Sequence, residues 1–449
     1  MIHPLVEYYR CPDHLAVLGS AGNLPPEEGY FRFGDAICFG RQSVGAPSAA
    51  PKGDLVDVAG GIMAANGDVT LPFDLGDVVD ILRHELYPEA KAAIDHISTF
   101  NLSHATYYFL RPVLSVGIRR HLQRLHWRGW EKIPFPRWPV DTTVETLMKQ
   151  SVALLLERGA ITEFPFIWFW PGGAPACVMM THDVEGPAGA EFCGQLMDID
   201  EAHGIKSSFQ IVPDAPRSSR ASTRQLIGDL KRRGFEVNVH DLTHDGYLFR
   251  NREKFLRHAA AINSRGREYG SRGFRSGAMY RRQGWFASLD ISYDMSVPNV
   301  AHLEPQAGGC CTVMPYFMGH VLELPLTASQ DYTVLHILGQ RSTQLWRDQI
   351  DIVLAENGLL SFIAHPDYLM EPVARGLYTE LLRILVSLRE TRGVWTALPA
   401  EIDQWWRSRR SMRLVADGPS WRIEGPGSAR ARLAFARLRD GRLVYEVAA

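Results

Sequence analysis

Two histidines, His240 and His244, stand four residues apart, a spacing at which one helical turn would bring both rings to a single ion. Upstream, Thr181-His182-Asp183-Val184-Glu185 carries two carboxylates two residues apart, which on an extended chain face the same way. Imidazole with carboxylate suits zinc, cobalt or iron better than magnesium, which prefers oxygen alone. A catalytic site keeps three protein ligands and leaves a position for water. One of Asp183 and Glu185 is therefore expected to join the histidines while the other works as a base. Arg275, Asp294 and His365-Pro366-Asp367 are the other polar residues that stand out. Such a set can hydrolyse a carbon–nitrogen bond: an amide nitrogen leaves only when protonated, so a separate acid must act beside the metal.

These residues need a frame that brings distant segments together. From Ala176 onward, short β-branched or apolar runs alternate with amphipathic stretches. The runs are Cys177–Thr181, Ser207–Val212, Phe235–Val239, Gly273–Arg275, Tyr293–Val297, Val321–Leu326, Leu359–Ala364 and Val394–Ala397. Helical patterns lie between most of them: Glu191–His203, Thr223–Arg233, Arg252–Ser264, Thr343–Ala355 and Leu377–Arg392. The alternation predicts βα units and a largely parallel sheet, in number fitting an irregular (β/α)7-8 barrel interrupted by Pro298–His320. Every candidate residue falls at or near the downstream end of a run, the rim where a βα barrel keeps its active site.

The flanking regions differ in character. Residues 1–170 are expected to form a mixed α/β accessory domain, with a strand near Gly29–Phe33 and helices near Asp77–Leu86, Val116–Leu125 and Val144–Arg158. Thr142-Thr143 offers a hydroxyl cap to the last of these, and Pro134, Pro136 and Pro139 make a stiff connector before it. Residues 171–410 are the barrel. Residues 411–449 alternate apolar and polar residues around Asp-Gly and Gly-Pro-Gly turns, as in a small antiparallel β-unit.

Bulk composition narrows the partners. With 46% hydrophobic and 22% charged residues, the chain can bury a large core without disulfides. A net charge of -2 argues against nucleic acid as a partner, and no apolar run is long enough for a membrane span. Six cysteines without CxxC spacing, and an N-terminus without a basic region followed by an apolar run, lead to the expectation of a reduced cytoplasmic setting. The sequon at Asn101 is then chance. The aromatic clusters Phe164–Trp170 and Trp405–Trp406 are expected to be packing, and His203, His258, His320 and His336 to be ordinary surface or core residues.

The ordered rim residues resemble the motifs of the NodB-homology polysaccharide deacetylases, carbohydrate esterase family 4, over roughly residues 175–400. That family carries a Thr-Phe-Asp-Asp run, His-Ser/Thr-x-x-His, Arg-x-Pro, an Asp-containing motif and Leu-x-His in this order. Here the order is kept by Thr181–Glu185, His240–His244, Arg275, Asp294 and Phe362–His365, with Leu322–Thr327 like the strand before the last motif. The resemblance implies a divalent metal, most readily zinc, with cobalt or iron as alternatives, held by Glu185, His240 and His244. It implies Asp183 as the base and Arg275 as the cation that keeps it ionised. His365 becomes the acid toward the leaving amine, with Asp294 or Asp367 holding its imidazole.

The implied reaction is N-deacetylation of an acetamido sugar in a polysaccharide or its precursor, so the expected partner is an N-acetylated saccharide. Alternatives on the same barrel are hydrolysis of a cyclic amide or ureide, or a degenerate glycan-binding module without catalysis. Four positions depart from the family pattern: Asp183-Val184-Glu185 replaces Asp-Asp, His182 adds an imidazole beside the site, Gly277 stands near the missing proline of the third motif, and Asp241 replaces the hydroxyl residue. If Glu185 faced away, Asp183 would become the ligand and Asp241 or Asp245 the base.

Overall fold

The run Cys177–Val184 is buried along its whole length, and in the computed structural model it forms the strand from which the barrel is built. We label it β1. The structure describes residues 2–65, 68–98, 127, 129–215, 218–418 and 420–448. The helix expected at Val116–Leu125 and the sequon at Asn101 lie outside these residues.

Eight further strands follow: β2 (Ser208–Ile211), β3 (Glu236–His240), β4 (Gly273–Arg275), β5 (Tyr293–Asp294), β6 (Tyr316–Met318), β7 (Val321–Glu323), β8 (Leu359–Ile363) and β9 (Trp395–Thr396). The sheet runs β6-β7-β5-β4-β3-β2-β1-β8, with β9 pairing β1 as well. All pairings are parallel except β6 with β7, an antiparallel hairpin whose first strand lies inside the segment that interrupts the βα rhythm. Among the described residues no ladder joins β7 to β8. Thr327 bridges that seam instead: its hydroxyl donates to the Leu359 carbonyl (2.6 Å) and accepts from the Ser361 amide (3.0 Å). The expected irregular βα barrel is thus the observed architecture, curled and open at one seam.

The crossover helices are α1 (Pro187–Ala202), α2 (Arg220–Arg232), α3 (Arg252–Tyr269), α4 (Gln344–Ala355) and α5 (Pro372–Arg392). Their ends follow local chemistry. Ser219 and Asn251 cap the first turns of α2 and α3 through side-chain oxygens, and Gly270 and Gly393 end α3 and α5 with φ of 60° and 69°, a conformation that costs glycine little. Asp367 packs against Gly189 at the start of α1, where a Cβ would collide with its Oδ2, so it faces a helix end. No membrane-spanning helix occurs among the described residues.

Contacts gather the chain into two units, one of residues 1–87, 141–176 and 404–449, the other of residues 88–140 and 177–403. In the first unit Gly29–Phe33 pairs with Ala36–Gly40, and the helix Leu75–Arg83 packs on that hairpin. Helix Thr143–Glu157 begins where expected, but Asp141 caps it by accepting the Thr143 amide (2.9 Å); neither threonine hydroxyl does so. The strand Leu433–Arg439 pairs on one side with Arg442–Val447 and on the other with Phe164–Ile167. Fully buried Arg409 donates to the carbonyls of Tyr8, Tyr9, Ile167 and Trp168, joining three stretches of that unit.

Candidate metal centre and its flanking acid and base

Parallel register aligns β1, β3, β4 and β8 in one curled sheet, so their downstream ends deliver Asp183, His240, Arg275 and His365 to one rim. Arg275 is the register partner of His240. The His240 Nδ1–H donates to the Arg275 carbonyl (3.1 Å), which fixes the ring and leaves Nε2 bare. The second histidine does not arrive by a helical turn, as the spacing alone had led us to expect. The chain leaves β3 in a loop in which Asp241 and His244 both adopt left-handed φ (54° and 55°), turning His244 back until the two ring centroids are 4.9 Å apart.

Glu185, just past the end of β1, points into the same space. Its Oε1 lies 3.0 Å from His244 Nε2 and 4.0 Å from His240 Nε2. One ligand atom from each of the three residues falls within 4.8 Å of the others. Both Nε2 atoms are buried and make no hydrogen bond. Two bare imidazole nitrogens and a carboxylate converging at this spacing fit a divalent cation of the zinc, cobalt or iron kind. The acidic surroundings favour positive charge in this pocket. Burial opposes charge on His244, but Glu185 outweighs it and lifts the pKa to about 9. Burial likewise opposes ionisation of Glu185, and the surrounding imidazoles hold it well below the usual carboxylate range.

On one flank sits Asp183, 3% exposed. Its Oδ1 accepts from Arg275 Nη1 at 2.7 Å, and its Oδ2 stands 3.7 Å from His240 Nε2. Burial would raise its pKa, but the Arg275 guanidinium reverses this and keeps it ionised. Arg275 is itself pinned: Nη1 also donates to Thr181 Oγ1 (2.8 Å), Nε donates to the Met295 carbonyl (3.0 Å), and the Thr181 hydroxyl donates to the Phe362 carbonyl (2.7 Å).

On the other flank His365 Nε2 lies 3.6 Å from Glu185 Oε1. Its partner is neither Asp294 nor Asp367, as expected from sequence, but Asp331, which follows β7 in the chain. Asp331 Oδ1 accepts from His365 Nδ1 (2.6 Å) and Oδ2 accepts from the His365 amide (2.7 Å). Burial lowers the His365 pKa, yet Asp331, with Glu185 and Asp183 behind it, raises it to about 10.

Asp294 is turned the other way. It accepts from the amide and hydroxyl of Ser296 (2.9 and 2.8 Å) and lies beside Glu323, its register partner on β7. Burial first, then the Asp294 carboxylate, pushes Glu323 well above the usual range, so Glu323 keeps its proton and shares it with Asp294. Asp331 had a sequence signal that went unused: it is an acid a few residues beyond a rim strand, the same criterion that singled out the others.

Three further expectations resolve. His182 is not beside the site. It follows the strand alternation to the opposite face, where Nε2 meets Asp200 (3.1 Å), Nδ1 meets the Ala364 carbonyl (3.0 Å), and the Tyr378 and Ser207 hydroxyls complete the Asp200 carboxylate (both 2.6 Å). Asp241 and Asp245 accept amides of their own loop, from Leu242 (2.7 Å) and Tyr247 (2.8 Å). Gly277 leaves space: a Cβ there would lie 2.6 Å from Asp241 Oδ2 and 3.0 Å from His244 Cδ2.

No family model matches the sequence, and no curated protein matches it either. Among solved structures, a Mycobacterium smegmatis protein assigned as a polysaccharide deacetylase superposes with a TM-score of 0.45 at 16% identity, over 57% of this chain and 98% of its own. Other solved structures that match this chain carry deacetylase or esterase names. They include a peptidoglycan N-acetylglucosamine deacetylase (TM-score 0.35, 12% identity, 52% of this chain and 90% of that one). Another is a family 4 acetyl xylan esterase from Clostridium thermocellum solved with cobalt (0.31, 15%, 51% and 91%).

Proposed function

We propose that this chain is a metal-dependent hydrolase that removes the acetyl group from an acetamido sugar in a polysaccharide or a precursor of one. The observation that carries the proposal is the convergence of two bare imidazole nitrogens and Glu185 between an Arg275-anchored carboxylate and an Asp331-anchored imidazole. His240 and His244 through Nε2, with the Glu185 carboxylate, would hold the ion. A divalent cation there polarises the amide carbonyl and makes water acidic enough to lose a proton near neutral pH.

The protein's own groups do the rest. Asp183, ionised and aimed by Arg275, takes the proton of the attacking water as oxygen adds to the carbonyl carbon. His365, with Nδ1–H committed to Asp331, presents Nε2–H toward the leaving nitrogen. That proton passes to nitrogen as the carbon–nitrogen bond breaks, giving acetate and a free amine. The opposed flanks answer the need for a base on the water and an acid on the amine in one turnover.

Purified protein is expected to hold one transition metal per chain and to release acetate from N-acetylated saccharides in a chelator-sensitive way. Protein without such metal, or activity indifferent to chelation, would sink the proposal. Asp183→Asn should keep the metal and lose turnover by about 10²–10⁴-fold. Loss of the metal instead would make Asp183 a ligand and send the base role elsewhere.

A further inference from the structure

Three rings cluster beyond the candidate acid. The His365 ring centroid is 5.1 Å from that of Tyr368, which lies 4.8 Å from His336 and 5.5 Å from Tyr332; Tyr332 and His336 are 5.4 Å apart. Their placement follows from elements already described. Tyr332 is next to Asp331, and the turn after it, Thr333–Ile337, is π-helical, which brings His336 round to the ring four residues before it. Tyr368 belongs to the short helix Pro366–Leu369 that begins right after His365. Tyr332, His336 and Tyr368 are only half-buried, and beyond them Met370 and Val373 are each 47% exposed. The result is a partly open aromatic face continuous with the site.

The side on which this face lies is informative. In amide hydrolysis the acyl carbonyl sits at the cation, and the amine departs toward the general acid. When the amide is an acetamido sugar, that amine is the saccharide itself, so the sugar must lie on the His365 side. A pyranose offers an apolar C–H face for a ring to cover and hydroxyls at its edge for polar tips, and Tyr and His supply both. We propose that Tyr332, His336 and Tyr368 form a stacking platform for the pyranose rings of an N-acetylated oligosaccharide. The inference rests on the deacetylase reading and sharpens it: the substrate is a saccharide extended beyond the acetylated residue, not a small cyclic amide, which would leave the platform unused.

The test is binding of an N-acetylglucosamine tetramer to the zinc-loaded full chain by calorimetry, with acetate release followed in parallel. Tyr332→Ala and Tyr368→Ala should each weaken tetramer binding by about tenfold. Tyr332→Phe and Tyr368→Phe, which keep the ring, should stay within roughly threefold of wild type, and thermal unfolding shows that each variant is folded. Alanine variants that are folded and bind as wild type overturn the platform while leaving the deacetylase reading intact. Wild type that binds the tetramer through these tyrosines but releases no acetate upholds the platform and overturns the catalytic reading. Wild type that neither binds nor deacetylates the tetramer overturns the platform.

Discussion

At the scale of single residues, small changes of position separate the roles. The left-handed turn at Asp241 and His244 is tolerated because Gly277 presents no side chain to the space they occupy. Gly277→Ala is expected to press on the His244 ring and weaken metal binding by roughly tenfold or more, read by titrating apo-protein with Co(II) and following its visible absorption. Unchanged affinity would show that the loop absorbs the methyl group freely. Asp331→Asn should retain metal but lose about 10²-fold or more in turnover, since it removes the negative charge and leaves one acceptor for two donors, the His365 amide and Nδ1–H. The histidines, Asp183, Glu185, Arg275 and His365 were legible in the sequence because each combines an unusual side chain with a strand-end position. The Asp331 role was not, because which of several rim acids meets His365 depends on a seam where β7 and β8 fail to pair. Strand pairing statistics do not reveal such a seam.

At the scale of elements, the nine barrel strands include every run that apolar and β-branched residues had marked, with boundaries shifted by a few residues. What escaped was how local chemistry competes at the ends. Asp141 displaced the Thr142 and Thr143 hydroxyls as a helix cap, because a carboxylate two residues before the first free amide reaches it directly. The His240/His244 spacing looked helical, but β3 continues through His240 and leaves no room for a helix to start. Between β5 and β7 the Asp294–Glu323 pair makes a prediction of its own. Glu323 has a folded pKa above its unfolded value, so the native state binds the extra proton, and the stability this gives is lost as pH rises from about 4.5 through the raised value. Glu323→Gln mimics the protonated acid. Its thermal midpoint should therefore match or exceed that of wild type at neutral pH, with an advantage that grows as pH is raised and fades near pH 4. A variant advantage independent of pH would contradict the shared proton.

At the scale of the whole molecule, the proposed ion should report on folding as well as on activity. Glu185 follows β1, His240 ends β3 and His244 lies in the loop after β3, so only the folded barrel assembles them. A ligand bound to the native state alone, at a thousandfold above its dissociation constant, stabilises by about 4 kcal/mol. Chelation is expected to lower the barrel's unfolding temperature by several degrees, and added zinc to restore it. A midpoint that ignores metal would argue that the three side chains are not a site. The βα barrel was legible across the chain because its strands and helices alternate in order. The discontinuous first unit was not, since nothing local in Phe164–Ile167 says that its partner strand lies beyond residue 430.

That distant pairing has a consequence for how the protein is made. During synthesis Phe164–Ile167 emerges long before Leu433–Arg439, so its apolar edge must wait while more than half of the chain is still to be translated. Any nascent or truncated chain that stops short of residue 433 carries that edge unpaired, an open template for aggregation. Leu433–Arg439 therefore acts as a stitch that closes the earlier part of the chain, and a deletion that removes it is expected to leave the protein prone to aggregate.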